Sequence, residues 1–376
     1  CCLYDEQIPE AKVYEQSLDK IQKSEYMNNL RQKFKEGERP EMCTRCWSEE
    51  DAGKVSKRMH TFYKMNVSLD NWTPDSEPQL KFIDFKLGNV CNLKCRICGS
   101  WSSSKWAKEE MDYGPNPFAE KNLKEGGWPK REVKFFTDIQ PVLQHVEFFE
   151  FTGGEPLIIP DHFKLLEKLS EQNTVGDMYL NYSTNLTIAP KQDTINKWKK
   201  FKYIEFALSF DGIGDTWNLV RYPSNWKKAE SVTQKFFEMT KEFDCRIGLR
   251  STVSVNNILN MPESFTWWIE NWNKHASTDF DPQQWINPTH LTFPEQLSTT
   301  VLPLKYKDRV AEKLNKQNVF EGKMKDSIDA QINYMYSKDD SHLLPELKFY
   351  NEFLDKKRKQ NFFTANPELE GIYDGL

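Results

Sequence analysis

Segments of alternating apolar and polar residues recur along most of this chain, with helical segments between them. The alternation predicts strands near 79–88, 146–152, 177–185, 203–211 and 245–253, and a less regular one near 289–293. Helical periodicity falls between these segments, at 161–173, 191–200, 226–243 and 262–273. Strands and helices that alternate at these lengths predict parallel βαβ units, so we expect an α/β domain.

The composition narrows the class of protein. A chain of 376 residues is long enough for two domains, or for one large domain with extensions, and its 14% aromatic content is too high for a disordered chain. Lys and Arg number 51 against 56 Asp and Glu, so no basic excess indicates a nucleic-acid partner. No run approaches the roughly 18 apolar residues of a membrane span, so we expect no membrane association.

The first residues bear on where the protein works. The chain begins with Cys1 rather than Met, and we interpret it as a fragment or a processed product. Residues 3–30 contain neither the basic nor the apolar region of a signal peptide, so the cytoplasm is the expected location.

The eight cysteines are bunched rather than spread. Seven of them lie in the first 98 residues, in three clusters: Cys1 and Cys2, Cys43 and Cys46, and Cys91, Cys95 and Cys98. Disulfide frameworks are expected in short secreted chains, so this distribution favours metal ligation in a reducing compartment. The eighth, Cys245, lies in a predicted strand and is expected to be a buried, inert thiol.

The third cluster, Cys91-x3-Cys95-x2-Cys98, places three thiols in eight residues. Zinc sites usually join two separated pairs of ligands and close at four. Three cysteines with no fourth ligand nearby suggest a [4Fe–4S] cluster with one iron open to a small molecule, and zinc stays an alternative.

A second motif follows the strand predicted at 146–152. Gly153 and Gly154 allow the backbone to approach a ligand closely, where a side chain would clash. Glu155 then offers a carboxylate at the carboxyl end of the strand, where α/β barrels carry their chemistry.

In this order and at strand ends, the two motifs resemble the radical S-adenosylmethionine (SAM) superfamily. The resemblance implies that Cys91, Cys95 and Cys98 are the catalytic ligands of a [4Fe–4S] cluster, and that the segment 153–156, which includes Glu155, holds the amino group of SAM. The chain departs from the family at Ile97, where an aromatic residue usually contacts the adenine.

The resemblance also implies a fold, a partial (β/α)6 barrel similar to a TIM barrel, with polar strand ends around one mouth. By resemblance, Ser183 and Asn185 hold the ribose of SAM, and Ser209 with Arg250 holds its carboxylate. The alternative is ordinary turn and capping chemistry, since Ser and Asn favour such positions.

The amino-terminal cysteines resemble the SPASM/twitch auxiliary-cluster region of some radical SAM proteins, placed here before the core. Cys43 and Cys46, with Cys1, Cys2 or both, would supply three or four ligands of an auxiliary iron–sulfur cluster; a zinc knuckle is the alternative. We therefore expect a cysteine-rich region at 1–75, a radical SAM core at 76–300 and a helical extension at 301–376.

The function implied by the resemblance is reductive cleavage of SAM to a 5′-deoxyadenosyl radical, which abstracts hydrogen from a peptide, a protein or a small molecule. An electron donor such as flavodoxin or ferredoxin is the expected partner. The competing class is a non-enzymatic metal protein, either a zinc-stabilised binding module or an iron–sulfur electron carrier.

The extension carries one charged motif. The run 356–359, Lys-Lys-Arg-Lys, is expected to be a solvated helix end favoured by the helix dipole.

Overall fold

The computed structural model describes residues 13, 15–51, 53, 55–65, 73, 76–127, 133–277, 280–317 and 320–376. Within them, one parallel sheet contains the strands β1 (Phe82–Lys86), β2 (Phe148–Thr152), β3 (Tyr179–Thr184), β4 (Tyr203–Ser209), β5 (Cys245–Val253) and β6 (Ile286–His290). The strands are ordered along the sheet as they are along the chain, from β1 to β6. Each pairs in parallel with the next.

The helices before β3 are α1 (Leu18–Gln22), α2 (Glu25–Lys35), α3 (Thr44–Asp51), α4 (Lys57–Met65), α5 (Ser104–Glu110), α6 (Pro117–Glu125), α7 (Val133–Asp138), α8 (Gln140–Leu143) and α9 (Pro160–Ser170). Those after β3 are α10 (Gln192–Trp198), α11 (Gly214–Val220), α12 (Trp226–Met239), α13 (Met261–His275), α14 (Leu304–Gln317), α15 (Gly322–Tyr336), α16 (Leu344–Arg358) and α17 (Phe362–Ala365). No helix in the described residues is long and apolar enough to cross a bilayer.

This order confirms the predicted α/β fold: an open, parallel six-stranded sheet of the partial (β/α)6 type with a helical extension. Only the sixth strand is displaced from its predicted position, since β6 begins at Ile286 rather than Thr289. Ile286 pairs with Leu249 of β5, so tertiary pairing recruits Asn287 and Pro288 despite their low strand propensity.

The face of the sheet that packs on helices is apolar because every second strand residue contributes to one core. Phe85, Phe151, Tyr182 and Phe206 stack across β1 to β4, with ring centroids 4.8–5.8 Å apart. The Tyr182 hydroxyl also contacts His162 Nε2 at 2.9 Å and accepts a bond from Trp198 Nε1 at 3.2 Å, which ties α9 and α10 to the sheet.

The opposite face is aromatic near the start of the strands and polar further along. Phe82, Phe148, Tyr179 and Tyr203 lie side by side across β1 to β4, with centroids 4.9–6.2 Å apart. Further along the same strands lie the charged Glu150 and Glu205. Alternation in the sequence therefore places these residues on one face of the sheet. The polar part of that face lies next to the carboxyl edge.

Helix α4 supplies the cations for this polar face. Lys57 Nζ lies 2.7 Å from Glu150 Oε2, and Lys64 Nζ lies 3.4 Å from Glu205 Oε2. Ser56 caps the helix, with the Met59 N–H donating to its hydroxyl at 3.1 Å. The amino-terminal region is thereby attached to the sheet beneath its carboxyl edge.

Candidate functional site

The three-cysteine loop follows β1 at the carboxyl edge of the sheet. Cys95 is buried, whereas Cys91 and Cys98 are half-buried. The loop is closed by Cys98 N–H, which donates to Cys95 O at 3.0 Å, and by Trp106 Nε1, which donates to the same oxygen at 2.6 Å. Ser103 links its hydroxyl to Leu93 O at 2.6 Å while capping α5. The backbone of the loop is therefore fixed by its own bonds and those of α5.

The thiols share one electrostatic environment. Burial, reinforced by the neighbouring Cys95, raises the pKa of Cys91 and of Cys98 to about 12, and burial also raises the pKa of Cys95. Without a metal, these groups are therefore neutral thiols at physiological pH, and metal binding must displace their protons.

The donor set of the loop fits an iron–sulfur cluster. Within the described residues, no three His, Cys, Asp or Glu side chains are grouped closely enough to hold one metal ion. In a [4Fe–4S] cluster each cysteine binds a different iron, so the ligands are spread more widely than around one ion. One buried and two half-buried thiols on a segment with no carboxylate or imidazole, 91–98, form the soft donor set that such clusters take.

The two glycines after β2 bring that strand end against the cysteine loop. Gly154 N–H donates to Gly88 O at 3.1 Å, and Glu155 N–H donates to Val90 O at 2.9 Å. A Cβ on Gly154 would lie 2.1 Å from Val90 O, and Gly153 has a φ of +105°. The two glycines are thus needed for the contact between the two motifs, apart from any role in the close approach of a ligand.

Glu155 is fully buried and points into the protein. Its Oε1 accepts bonds from Thr184 Oγ1 at 2.9 Å and Leu157 N–H at 3.1 Å, and its Oε2 accepts from Asn185 N–H at 2.6 Å. Burial outweighs these donors and raises the pKa of Glu155 to about 7. The carboxylate therefore joins the ends of β2 and β3.

Asn185 connects β3 to the cysteine loop. Its Nδ2 donates to Asn92 Oδ1 at 2.9 Å and lies 3.6 Å from Cys91 Sγ. Its Oδ1 accepts from Thr187, whose hydroxyl also accepts from Asn92 Nδ2 at 2.8 Å. The structure thus brings Cys91, Glu155 and Asn185 into one bonded unit.

The other residues expected to bind SAM are more dispersed. Ser183 lies one residue before the end of β3, and Ser209 ends β4 opposite Arg250 of β5 in the register. The Arg250 guanidinium donates to Glu205 Oε1 at 3.1 Å and to Trp285 O at 3.3 Å. It therefore points along the sheet toward Glu205, below the edge.

Arg221, at the end of α11, lies against the buried cysteine. Its Nη1 is 3.8 Å from Cys95 Sγ, and its Nη2 forms an ion pair with Asp211, just beyond β4. Burial of Arg221 favours its neutral form, but the charge of Asp211 and its hydrogen bond to the guanidinium outweigh that effect and raise the pKa of Arg221. The guanidinium is therefore charged.

Helix α16 of the extension holds the cysteine loop from outside. Arg96 is fully buried; it donates to Asn351 Oδ1 at 2.8 Å and forms an ion pair with Asp355. The Tyr350 hydroxyl donates to Arg96 O at 2.6 Å. The residue next to Cys95 is thus fixed by side chains more than 250 positions away in the sequence.

The run 356–359 is only partly the solvated helix end that was expected. Lys356 and Lys357 are exposed, but Arg358 is 4% exposed and donates from Nε to Glu109 Oε1 at 3.0 Å. Its guanidinium also lies 4.8 Å from the Trp106 ring centroid. The solvated prediction is wrong for Arg358, because a buried partner on α5 and an aromatic ring attract the third cation of the run.

Only part of the predicted auxiliary site can be located. Cys43 ends a short turn, and Cys46 is buried in α3, one helical turn later. Burial, together with the charge of Cys46, raises the pKa of Cys43. Cys1 and Cys2 lie outside the described residues.

Sequence reasoning did not find Arg96, Arg221 and Arg358, three buried arginines around the loop. Only Arg358 had a signal, as part of a basic run. The other two have partners distant in sequence, and an isolated arginine has no local pattern that distinguishes buried from exposed.

The chain is similar to one family profile and to several solved structures. Residues 85–264 match the profile of the Radical SAM superfamily. A search of curated proteins gave no match.

Several solved structures are similar to the chain at low identity. Streptococcus suis SuiB bound to S-adenosylmethionine is 17% identical, with a TM-score of 0.37, over 84% of this chain and 56% of SuiB. The anSMEcpe protein with bound AdoMet and a peptide is 18% identical, with a TM-score of 0.39, over 64% of this chain and 60% of that one. SuiB bound to its precursor peptide SuiA is 16% identical, with a TM-score of 0.33, over 87% and 64%. The chain thus spans less than two thirds of each.

The matched range 85–264 begins in β1 and ends in α13. It includes the cysteine loop, the glycine pair and Glu155. Residues 85–264 of this chain are therefore similar to the Radical SAM superfamily, and both motifs lie within that range.

Proposed function

We propose that this chain is a radical SAM enzyme whose Cys91, Cys95 and Cys98 hold a [4Fe–4S] cluster. The observation that carries the proposal is that two strand ends bond to the cysteine loop: Glu155 N–H donates to Val90 O at 2.9 Å, and Asn185 Nδ2 lies 3.6 Å from Cys91 Sγ. Cluster ligands and cofactor-binding strand ends belong at one edge of a parallel sheet.

When bound, the reduced cluster and SAM supply reductive cleavage of the sulfonium to methionine and a 5′-deoxyadenosyl radical. The residues of the chain bind the cluster and SAM and orient them. In this proposal the segment 153–155 holds the amino group of SAM, and a cation there would favour the charged form of Glu155, which burial disfavours.

The remaining contacts to SAM follow from the strand ends. Ser183 and Asn185 hold the ribose, and Ser209 with Arg250 holds the carboxylate. Because Arg250 donates to Glu205, carboxylate binding at Ser209 requires the guanidinium to exchange Glu205 for the ligand. Helix α16 covers the outside of the cysteine loop, where Arg96 is fully buried, and exclusion of water there would protect a reactive radical.

The proposal extends to the amino-terminal region and the reaction. Cys43 and Cys46, with Cys1 or Cys2, hold an auxiliary iron–sulfur cluster within 1–75, ahead of a core at 76–300 and an extension at 301–376. The substrate, a peptide, a protein or a small molecule, loses a hydrogen atom. A one-electron donor such as flavodoxin or ferredoxin reduces the core cluster.

The test is anaerobic reconstitution with iron and sulfide, followed by dithionite and SAM, with 5′-deoxyadenosine as the readout. Wild type should release 5′-deoxyadenosine, and Cys95→Ala should lose that activity while keeping its circular dichroism spectrum. Cys245→Ala is the matched control, because Cys245 is also buried but lies in β5; it should behave like wild type.

Two results would reject the proposal. A colourless protein containing zinc would indicate a zinc-stabilised module, and a brown protein that leaves SAM intact under reduction would indicate an electron carrier.

A further inference from the structure

Arg221 is placed against Cys95 by backbone bonds on both sides of that cysteine. Lys94 N–H donates to Tyr222 O at 2.7 Å, and Arg96 N–H donates to Val220 O at 2.9 Å. The residues that flank Cys95 are therefore bonded to the residues that flank Arg221. The distance of 3.8 Å between Arg221 Nη1 and Cys95 Sγ is set by this pairing.

Asp211 fixes the other side of the guanidinium. Its carboxylate pairs with Arg221 Nη2, and its Oδ1 also accepts from Thr252 N–H at 2.8 Å. The Asp211 carbonyl accepts from Asn257 Nδ2 at 3.1 Å. Asp211, Arg221 and Cys95 are 1%, 8% and 7% exposed, so the charges interact with little screening by water.

A charged donor at a cluster sulfur changes how readily the cluster accepts an electron. Hydrogen bonds to the sulfurs, net charge and solvent exposure set the reduction potential of iron–sulfur clusters. Reduction adds one negative charge, which a buried cation stabilises and a buried anion opposes. In this structure Arg221 is the member of the pair that contacts the sulfur, so its effect should exceed that of Asp211.

We propose that Arg221 raises the reduction potential of the cluster bound through Cys95, with Asp211 holding its guanidinium at the sulfur. This inference rests on the proposed function for the cluster, and adds that the chain itself eases the entry of the electron that SAM cleavage consumes. The step is the gain of one electron from the reductant, without proton transfer or bond change in the protein.

The test is a redox titration of the reconstituted full chain, followed by electron paramagnetic resonance of the reduced cluster, with iron and sulfide measured in each sample. Arg221→Gln should hold as much iron as wild type but be about tenfold harder to reduce, equivalent to a potential about 59 mV lower. Arg221→Lys should fall between them, because it keeps the charge and loses the fork geometry.

Arg246→Gln is the control for loss of an arginine charge. Arg246 is the second residue of β5, at the end of that strand away from the cysteine loop, and its guanidinium lies over the Tyr203 and Trp285 rings. The reduction potential of the cluster in Arg246→Gln should match that in wild type.

Asp211→Asn gives a result of opposite sign and does not depend on the folding of the arginine variants. It removes the anion but keeps a side-chain oxygen that can accept from Arg221 and hold the guanidinium at the sulfur, so the potential should rise. If the ion pair had only a structural role, the two variants would not shift the potential in opposite directions. The inference would be overturned if iron-loaded Arg221→Gln or Asp211→Asn had the wild-type potential. A wild type without cluster iron would overturn both this inference and the proposed function, whereas unchanged potentials beside intact SAM cleavage would overturn the inference alone.

Discussion

Glu155 is a carboxylate without exposed surface, and its protonation is coupled to folding. Its pKa of about 7 in the folded chain lies above the ordinary value of 4.5. Between these values the folded state keeps a proton that the unfolded chain releases. The stabilisation from this group is therefore complete below pH 4.5 and is lost as the pH rises to about 7.

We predict that the metal-free wild type loses stability between pH 4.5 and 7 relative to Glu155→Gln, by up to about 3 kcal/mol. The glutamine side chain is neutral at every pH in this range, so the unfolded variant releases no proton from position 155. Urea unfolding at a series of pH values measures the difference. Parallel pH profiles for the two proteins would show that Glu155 does not titrate in this range.

Gly154 tests the contact between the two motifs. An added Cβ would meet the Val90 carbonyl oxygen at 2.1 Å, and the other atoms it would meet are also Val90 backbone, which has little room to adjust. Gly154→Ala should therefore lower the free energy of unfolding by about 2–3 kcal/mol. Gly176→Ala is the matched control, because a Cβ there meets nothing within 4 Å. Equal stability of the two variants would contradict the close approach.

At the scale of single residues, the sequence predicts site residues that lie close together along the chain. It misses site residues whose partners are distant in the sequence. Cys91, Cys95, Cys98 and the pair before Glu155 are recognisable because their chemistry lies within a few positions. The inward direction of the Glu155 side chain is set by Thr184 and Asn185, about thirty residues later. Spacing along the chain does not encode that contact.

Helix α16 is the element whose role the sequence hides most. Its periodicity predicts a helix, but its partners are the cysteine loop and α5. Arg358 donates to Glu109, to which Lys94 also pairs, so one buried carboxylate joins the loop, α5 and α16. The extension is therefore part of the support of the site.

Arg358→Met should lower the free energy of unfolding by about 3 kcal/mol, because it removes one partner of a buried ion pair. It should also increase amide hydrogen exchange in the loop 91–103, which α16 restrains. Lys356→Met, on the exposed side of the same helix, should change neither quantity. Unchanged exchange in Arg358→Met would argue that the loop is stable without α16.

The strands were predictable because alternation in the sequence corresponds to faces of the sheet. Five of the six fall within their predicted segments, whereas β6 is defined by pairing with β5 rather than by its own composition. The contact of α4 with the sheet face that contains Glu150 and Glu205 was not predictable from sequence. Nothing near Lys57 and Lys64 in the sequence indicates that these two carboxylates lie opposite them.

At the scale of the whole molecule, elements that are distant in the sequence contact the cysteine loop. The sheet presents the ends of β1, β2 and β3, α11 brings Arg221, and α16 closes the outside. The three thiols of the loop have raised pKa values that metal binding must overcome. This arrangement is consistent with a loop built to hold a bound group rather than free thiols.

In the proposed function, three cysteines leave one iron of the cluster open to SAM. Electron–nuclear double resonance of the dithionite-reduced protein, with SAM labelled with nitrogen-15 at its amino group, tests it directly. We predict a nitrogen-15 coupling to the cluster in wild type and Cys245→Ala, and its loss in Cys95→Ala. A reduced wild-type cluster without that coupling, or a loop that holds zinc, would contradict the account.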